Sequence, residues 1–183
     1  MPHANRNHSK RLDPRMPLVV NTRTLGPAAV RPVSKTAPAP ASLGSGMVGV
    51  PEGAELELDI QLERVTDGVL VTGTVRAPLA GECARCLDTF TSATEVRFTE
   101  LFTHDAGDED ADGYLLDGDL LDLEPALRDA LVLELPLAPL CAEDCQGLCS
   151  ECGVRLADAG AGHGHGDAGK DQSVTGRDAR AGH

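Results

Sequence analysis

From Glu55 to Glu63 apolar and acidic or amide side chains alternate without a break. Leu56, Leu58, Ile60 and Leu62 fall on one side, and Glu55, Glu57, Asp59, Gln61 and Glu63 on the other. A period of two with charges outward describes a half-buried antiparallel strand and excludes an amphipathic helix. Asp67-Gly68 follows as a tight-turn signal. Val69, Val71, Val75, Ala77 and Leu79 then supply the inward face of a return strand. A third strand runs from about Ser92 to Thr103, with Val96, Phe98 and Phe102 on one face. Three consecutive strands joined in this way form an antiparallel meander.

The material for its core is narrow. Aromatic residues make up only 2% of the 183, namely Phe90, Phe98, Phe102 and Tyr114, so Leu, Val and Ala must fill the interior. A base-stacking surface of the usual aromatic kind has almost nothing to draw on. Met16-Pro-Leu-Val-Val precedes the meander and reads as a short strand. Residues 26–45, with Pro27, Pro32, Pro38 and Pro40, read as a Pro/Ala-rich linker. After the meander come an acidic loop at 104–113 and a short strand at Tyr114-Leu115-Leu116. Asp122 then caps a helix running to about Leu135, with Pro125 in its first turn and Pro136 ending it. Leu123, Leu127, Ala130, Leu131 and Leu135 lie near one face, enough to cover one side of the sheet. The expected fold is α+β: an antiparallel β-meander with a covering helix and a C-terminal cysteine (zinc) knuckle. The expected domain plan is a flexible basic arm at 1–15, one zinc-tied domain at 16–157, and a disordered Gly/Asp/His-rich tail at 158–183.

Charge divides the chain. Residues 1–50 carry seven Lys or Arg against one acid, Asp13, for a net of +6. Residues 51–183 carry nine bases against twenty-eight acids, for a net of −19 within a total of −13. Phosphate binding depends on Lys and Arg displacing counterions, so the acidic body is a poor surface for naked nucleic acid. The segment with Arg6, Lys10, Arg11, Arg15, Arg23, Arg31 and Lys35 is the place where RNA contact is expected, although its simplest description is a solvated arm. The run Asp108-Glu109-Asp110 is most simply a solvated charge cluster. No apolar run approaches a membrane span and no secretory signal is visible, so a cytoplasmic location is expected.

Six cysteines in a reducing compartment point to metal binding rather than to disulfides. They occur as Cys83-x2-Cys86 and, far downstream, Cys141-x3-Cys145-x3-Cys149-x2-Cys152. Each Cys-x2-Cys is half of a zinc ribbon, and Gly153 supplies the small residue that lets backbone amides point at sulfur. Four soft thiolates at tetrahedral geometry suit structural Zn²⁺. The set Cys83, Cys86, Cys149 and Cys152 is the favoured tetrad. Cys83 and Cys86 with Cys141 and Cys145 is an alternative, as is a local site within Cys141–Cys152, and one zinc per chain is expected. A thioredoxin-like role for Cys83-x2-Cys86 conflicts with its place between antiparallel strands. None of His3, His8, His104, His163, His165 and His183 lies in a segment rigid enough to serve as a catalytic base. Phosphate-loop, nucleophile-elbow and His-Glu-x2-His motifs are absent from the sequence.

Cys83-Ala-Arg-Cys86-Leu87, and the block from Leu135-Pro-Leu-Ala-Pro-Leu-Cys141 through Cys145-Gln-Gly-Leu-Cys149-Ser-Glu-Cys152-Gly153, resemble the two signature blocks of the large ribosomal RNA subunit accumulation family, also called the YceD family. The likeness in layout extends over residues 16–157. It departs after Gly153, where Val154-Arg155-Leu156 replaces an Asn-Leu-Asn type segment, and in the Gly-His tail. The resemblance implies a non-enzymatic factor needed for accumulation of large-subunit (23S) ribosomal RNA, often encoded beside a zinc-ribbon protein of that subunit. The expected partners are large-subunit ribosomal RNA, large-subunit ribosomal proteins, or both, with no membrane and no small-molecule substrate. Two other classes remain open on sequence: a zinc-dependent interaction adaptor outside ribosome assembly, and a thiol redox sensor.

Overall fold

The computed structural model describes residues 11–41, 43–104, 113–160 and 162–165. Most of the basic arm, the acidic loop between 105 and 112 and the tail beyond 165 lie outside the described residues. The chain divides into two compact units, one ending at Cys145 and one beginning at Gln146, a boundary the sequence reading does not draw.

The first unit is built on the expected meander. Strands β5 (Glu55–Val65), β6 (Gly68–Glu82) and β7 (Thr89–Thr103) pair antiparallel in sequence order. Leu56, Leu58, Ile60 and Leu62 are all buried, as are Val69, Val71, Val75, Ala77 and Leu79 across the ladder. The turn itself is Thr66-Asp67, because Val65 pairs with Gly68 inside the ladder. Gly68 serves the sheet rather than the turn, since a Cβ there would run into the β7 backbone at Phe102 and Thr103. β7 pairs with the whole of β6, so β5 and the short β4 (Val48–Val50) must share the other edge of that strand. β3 (Leu43–Gly44) lies beyond β4, and β8 (Tyr114–Leu115) runs parallel to the end of β7.

The linker expected at 26–45 is instead largely strand. β2 (Val30–Pro38) forms the edge of the sheet and pairs with β5 along its full length. Ala39 donates to Ala54 and Ala29 accepts from Arg64, so the odd-numbered positions turn their backbone groups toward β5. Pro32 and Pro38 occupy even positions, where the missing N–H would face outward, and an edge strand tolerates them there. Arg31, Val33, Lys35 and Ala37 sit deeper than their neighbours, which is a period of two in a partly polar sequence.

β1 (Val19–Asn21) makes a separate two-stranded ladder with β9 (Leu120–Asp122). Helix α1 (Leu123–Glu134) follows directly, and the Asp122 carboxylate accepts from the Glu124 amide as the expected N-cap. Leu123, Ala126, Leu127 and Leu131 belong to the same buried cluster as the inner faces of β5, β6 and β7. Tyr114 stacks on Phe102 with ring centroids 5.3 Å apart and donates its hydroxyl to Asp129 on the helix. The architecture is thus mostly antiparallel sheet with one helix. Among the described residues, no helix is long and apolar enough to cross a membrane.

Candidate metal centres

β6 and β7 are joined by Cys83–Asp88, which places the first cysteine pair at the tip of the longest hairpin. Cys83 N–H donates to the Asp88 carbonyl at 2.8 Å, and Leu87 N–H donates back to the Cys83 carbonyl at 2.9 Å. The second pair repeats this loop. Cys149 N–H donates to Val154 at 2.8 Å, and Gly153 N–H donates to Cys149 at 2.8 Å. The residue after the second cysteine is left-handed in both, with φ of 62° at Leu87 and 71° at Gly153. Each loop aims its inner amides at the first sulfur. The Cys83 thiol is accordingly pulled down to about 6, chiefly by the Cys86 amide with help from those of Cys141 and Arg85, against the opposing effect of burial. Cys149 is likewise drawn to about 6, chiefly by the Cys152 amide, then by the His163 side chain and the Glu151 amide.

The loops differ at the shared left-handed position. Gly153 adopts it freely, whereas Leu87 is a branched residue with 61% of its surface exposed. Leu87→Gly should therefore raise stability by about 1 kcal/mol, since little packing is lost and a left-handed L-residue costs about 1–2 kcal/mol. Urea unfolding of the two proteins measures this, and a less stable variant would show that the Leu87 side chain contributes more than its backbone strain takes away.

Two four-donor clusters form. In the first unit Cys83, Cys86, Cys141 and Cys145 bring their sulfurs within 4.8 Å of one another. Cys83 and Cys145 are 3.7 Å apart, and Cys86 and Cys141 are 3.6 Å apart. Zn–S bonds of about 2.3 Å at tetrahedral angles separate sulfurs by about 3.8 Å, so these spacings fit the edges of a ZnS₄ tetrahedron and are far too long for a disulfide. Cys83 and Cys86 are buried and Cys141 is exposed. Two hydrogen bonds hold the downstream half to the hairpin: Ala84 N–H donates to the Pro139 carbonyl at 2.8 Å, and the Arg85 side chain donates from Nη1 to the Cys145 carbonyl at 2.9 Å. Arg85 thus adds positive charge beside a site that four thiolates with a dication would leave negative. In the free thiols the proton is unevenly shared. The Asp88 amide favours ionised Cys86, but burial and side-chain hydrogen bonds to Asp88, Cys83 and Cys141 outweigh it and push that thiol up to about 12. Cys141 is also raised, chiefly by its hydrogen bond with Cys145.

In the second unit Cys149 and Cys152 gather with His163 and His165, whose ligand atoms also lie within 4.8 Å of one another. The favoured sequence tetrad of Cys83, Cys86, Cys149 and Cys152 is therefore not the grouping found; each knuckle has its own partners. All six sequence-selected cysteines lie in one cluster or the other. The two histidines are what residue reasoning missed, because a Gly-His-Gly-His run reads as tail on composition. Their signal was the spacing, since two imidazoles two residues apart, the first eleven residues beyond a Cys-x2-Cys, complete a four-donor set.

Residues 71–174 match the family described as Large ribosomal RNA subunit accumulation protein YceD. That span covers both knuckles and both histidines. The chain belongs to the YceD family. The span also takes in the Gly-His run that the sequence resemblance left outside. Among curated proteins, this YceD-family chain is 43% identical over 157 residues to the uncharacterized protein Rv2926c of Mycobacterium tuberculosis (strain ATCC 25618 / H37Rv), covering 81% of this chain and 75% of that one. It is 40% identical over 157 residues to the uncharacterized protein ML1660 of Mycobacterium leprae (strain TN), covering 81% and 71%. No solved structure shows significant similarity to it.

Proposed function

We propose that this YceD-family protein is a non-enzymatic cytoplasmic factor that supports accumulation of 23S ribosomal RNA and biogenesis of the large ribosomal subunit, with a structural zinc at Cys83, Cys86, Cys141 and Cys145. The observation that carries the reading is the family match across both cysteine blocks, whose description names large ribosomal RNA subunit accumulation. The thiol cluster supports a structural rather than catalytic metal. Four protein thiolates fill a tetrahedron, whereas catalytic zinc keeps a position for water. Zinc, rather than a harder cation, suits an all-sulfur set.

The partner follows from charge. Arg76 on β6 faces Glu57, Asp59 and Glu95, with its Nε 2.5 Å from Glu95. Arg128 pairs with Glu124 at 2.8 Å, and Arg155 with Asp158 at 3.7 Å. Cations so engaged are poorly placed to neutralise phosphates, so the acidic body is assigned to a basic ribosomal protein and any direct RNA contact to the N-terminal segment. Within that segment Arg31 is committed to Thr24 and the Asn21 carbonyl, and Arg23 pairs with Asp119 at 3.8 Å. Lys35 is half-buried within β2, so RNA contact falls to Arg6, Lys10, Arg11 and Arg15.

Depletion of the protein from its own host should lower the ratio of 23S to 16S ribosomal RNA and the yield of large subunits on sucrose gradients. An unchanged ratio would overturn the reading in favour of an adaptor outside ribosome assembly. The RNA assignment is tested by deleting residues 1–16, a cut that spares buried Leu18 and the strands β2, β3 and β4.

A further inference from the structure

Cys149, Cys152, His163 and His165 form a donor group apart from the four-thiol cluster, and the function proposed above does not use it. We propose that these four residues bind a second zinc ion, independent of the first, and that this ion is what folds residues 146–165. Three observations carry the proposal.

The donor geometry is that of a tetrahedral N₂S₂ site. His165 Nε2 lies 3.1 Å from Cys149 Sγ, and His163 Nε2 lies 3.6 Å from Cys152 Sγ. With Zn–S of about 2.3 Å and Zn–N of about 2.0 Å, the S–N edge of a tetrahedron is about 3.5 Å, between these two values. The imidazoles meet edge to face with centroids 4.9 Å apart, so both rings present Nε2 to the same point without stacking.

The other nitrogen of one ring is already assigned. His165 Nδ1 faces Glu151 Oε2 at 3.4 Å. A carboxylate beside Nδ1 favours the tautomer with its proton there and Nε2 free as a lone-pair donor, the arrangement that metal-binding histidines use. Glu151 lies between the two cysteines of the knuckle, so the same loop supplies two ligands and the group that orients a third.

Among the described residues, the segment has little apolar burial to hold it together. Among its described residues only Gly147 is buried, and Leu148 and Leu156 are half-exposed. Among the described residues, no buried side chain of the hydrophobic core comes from beyond Leu131. Yet the backbone closes on itself: Leu148 bridges Arg155, and Leu156 N–H donates to Gly147 at 3.0 Å. A stretch of this length that buries no apolar side chain does not pay its conformational entropy unaided, and a metal is the staple its side chains provide.

The test is metal analysis of full-length, tag-free protein purified without added zinc, together with amide hydrogen exchange. The wild type should carry about two zinc ions, and His163→Ala combined with His165→Ala about one. Cys149→Ser combined with Cys152→Ser should match that double variant. In both variants the Cys149, Gly153 and Leu156 amides should lose protection while those of Ala84 and Leu87 keep it. Equal metal content in wild type and both variants overturns the proposal. Equal protection at Gly153 and Leu156 overturns the claim that the ion folds the segment. A wild type with about one zinc, lost in the histidine variant, would support this site and overturn the zinc assigned to the four-thiol cluster. Neither result depends on the ribosomal RNA readout.

Discussion

Cys141→Ser combined with Cys145→Ser should remove about one zinc ion per chain and free the segment after helix α1 from the hairpin tip. Cys141 is exposed and Cys145 only half-buried, so the hydroxyls meet water and the substitution tests the metal rather than the packing. The amides of Ala84 and Leu87 report on the hairpin tip, because one donates to Pro139 and the other closes the knuckle. Both should exchange faster. The central pairs of β5 and β6 should not, since their inward faces are buried among themselves and the helix. Full retention of zinc would remove the four-thiol site. Fast exchange throughout β5 and β6 would show instead that the metal supports the whole sheet.

Leu127→Ala should cost about 2–5 kcal/mol, the range for emptying a buried leucine site. Leu127 is 0% exposed and lies among the inward residues of the sheet. Against the usual 5–15 kcal/mol for a domain, the middle of that range is about a third of the stability. Leu133 on the same helix is 85% exposed, and Leu133→Ala should stay within about 0.5 kcal/mol. Paired urea titrations separate the two. Equal effects would mean that the helix does not pack with Leu127 inward.

The meander and the helix were legible because each repeats one simple period with strong contrast between faces. Leu56 through Leu62 alternate with acids, and Asp122, Pro125 and Pro136 mark the helix limits by backbone chemistry. The β2 strand was not legible, because four prolines between 27 and 40 outweigh a weak alternation carried by Arg31, Val33, Lys35 and Ala37. What matters for a proline in a strand is which side its missing N–H faces, and that depends on register with β5. The inward face of the helix also includes Ala126, 0% exposed and one turn after Leu123, which the pattern of leucines leaves out.

The candidate sites divide along the same line. Spacing singled out all six cysteines as candidate ligands, and all six fall in the two clusters, but it could not assign partners. Assignment depends on where the chain returns after helix α1, and the Ala84–Pro139 and Arg85–Cys145 hydrogen bonds that bring Cys141 and Cys145 to the hairpin tip leave no trace in the cysteine spacing. His163 and His165 were hidden by composition. Glycines that read as tail are the joints between ligands.

The parity of the prolines in β2 also has a consequence for encounters between copies of this chain. The outward side of β2 offers N–H groups at Val30, Ser34 and Thr36, but none at Pro32 or Pro38. A second strand laid along that rim would find two rungs of its ladder missing, one near each end of the nine-residue run. The β2 rim is therefore a poor template for a further strand, and edge-to-edge addition of a second copy is disfavoured there by the backbone itself.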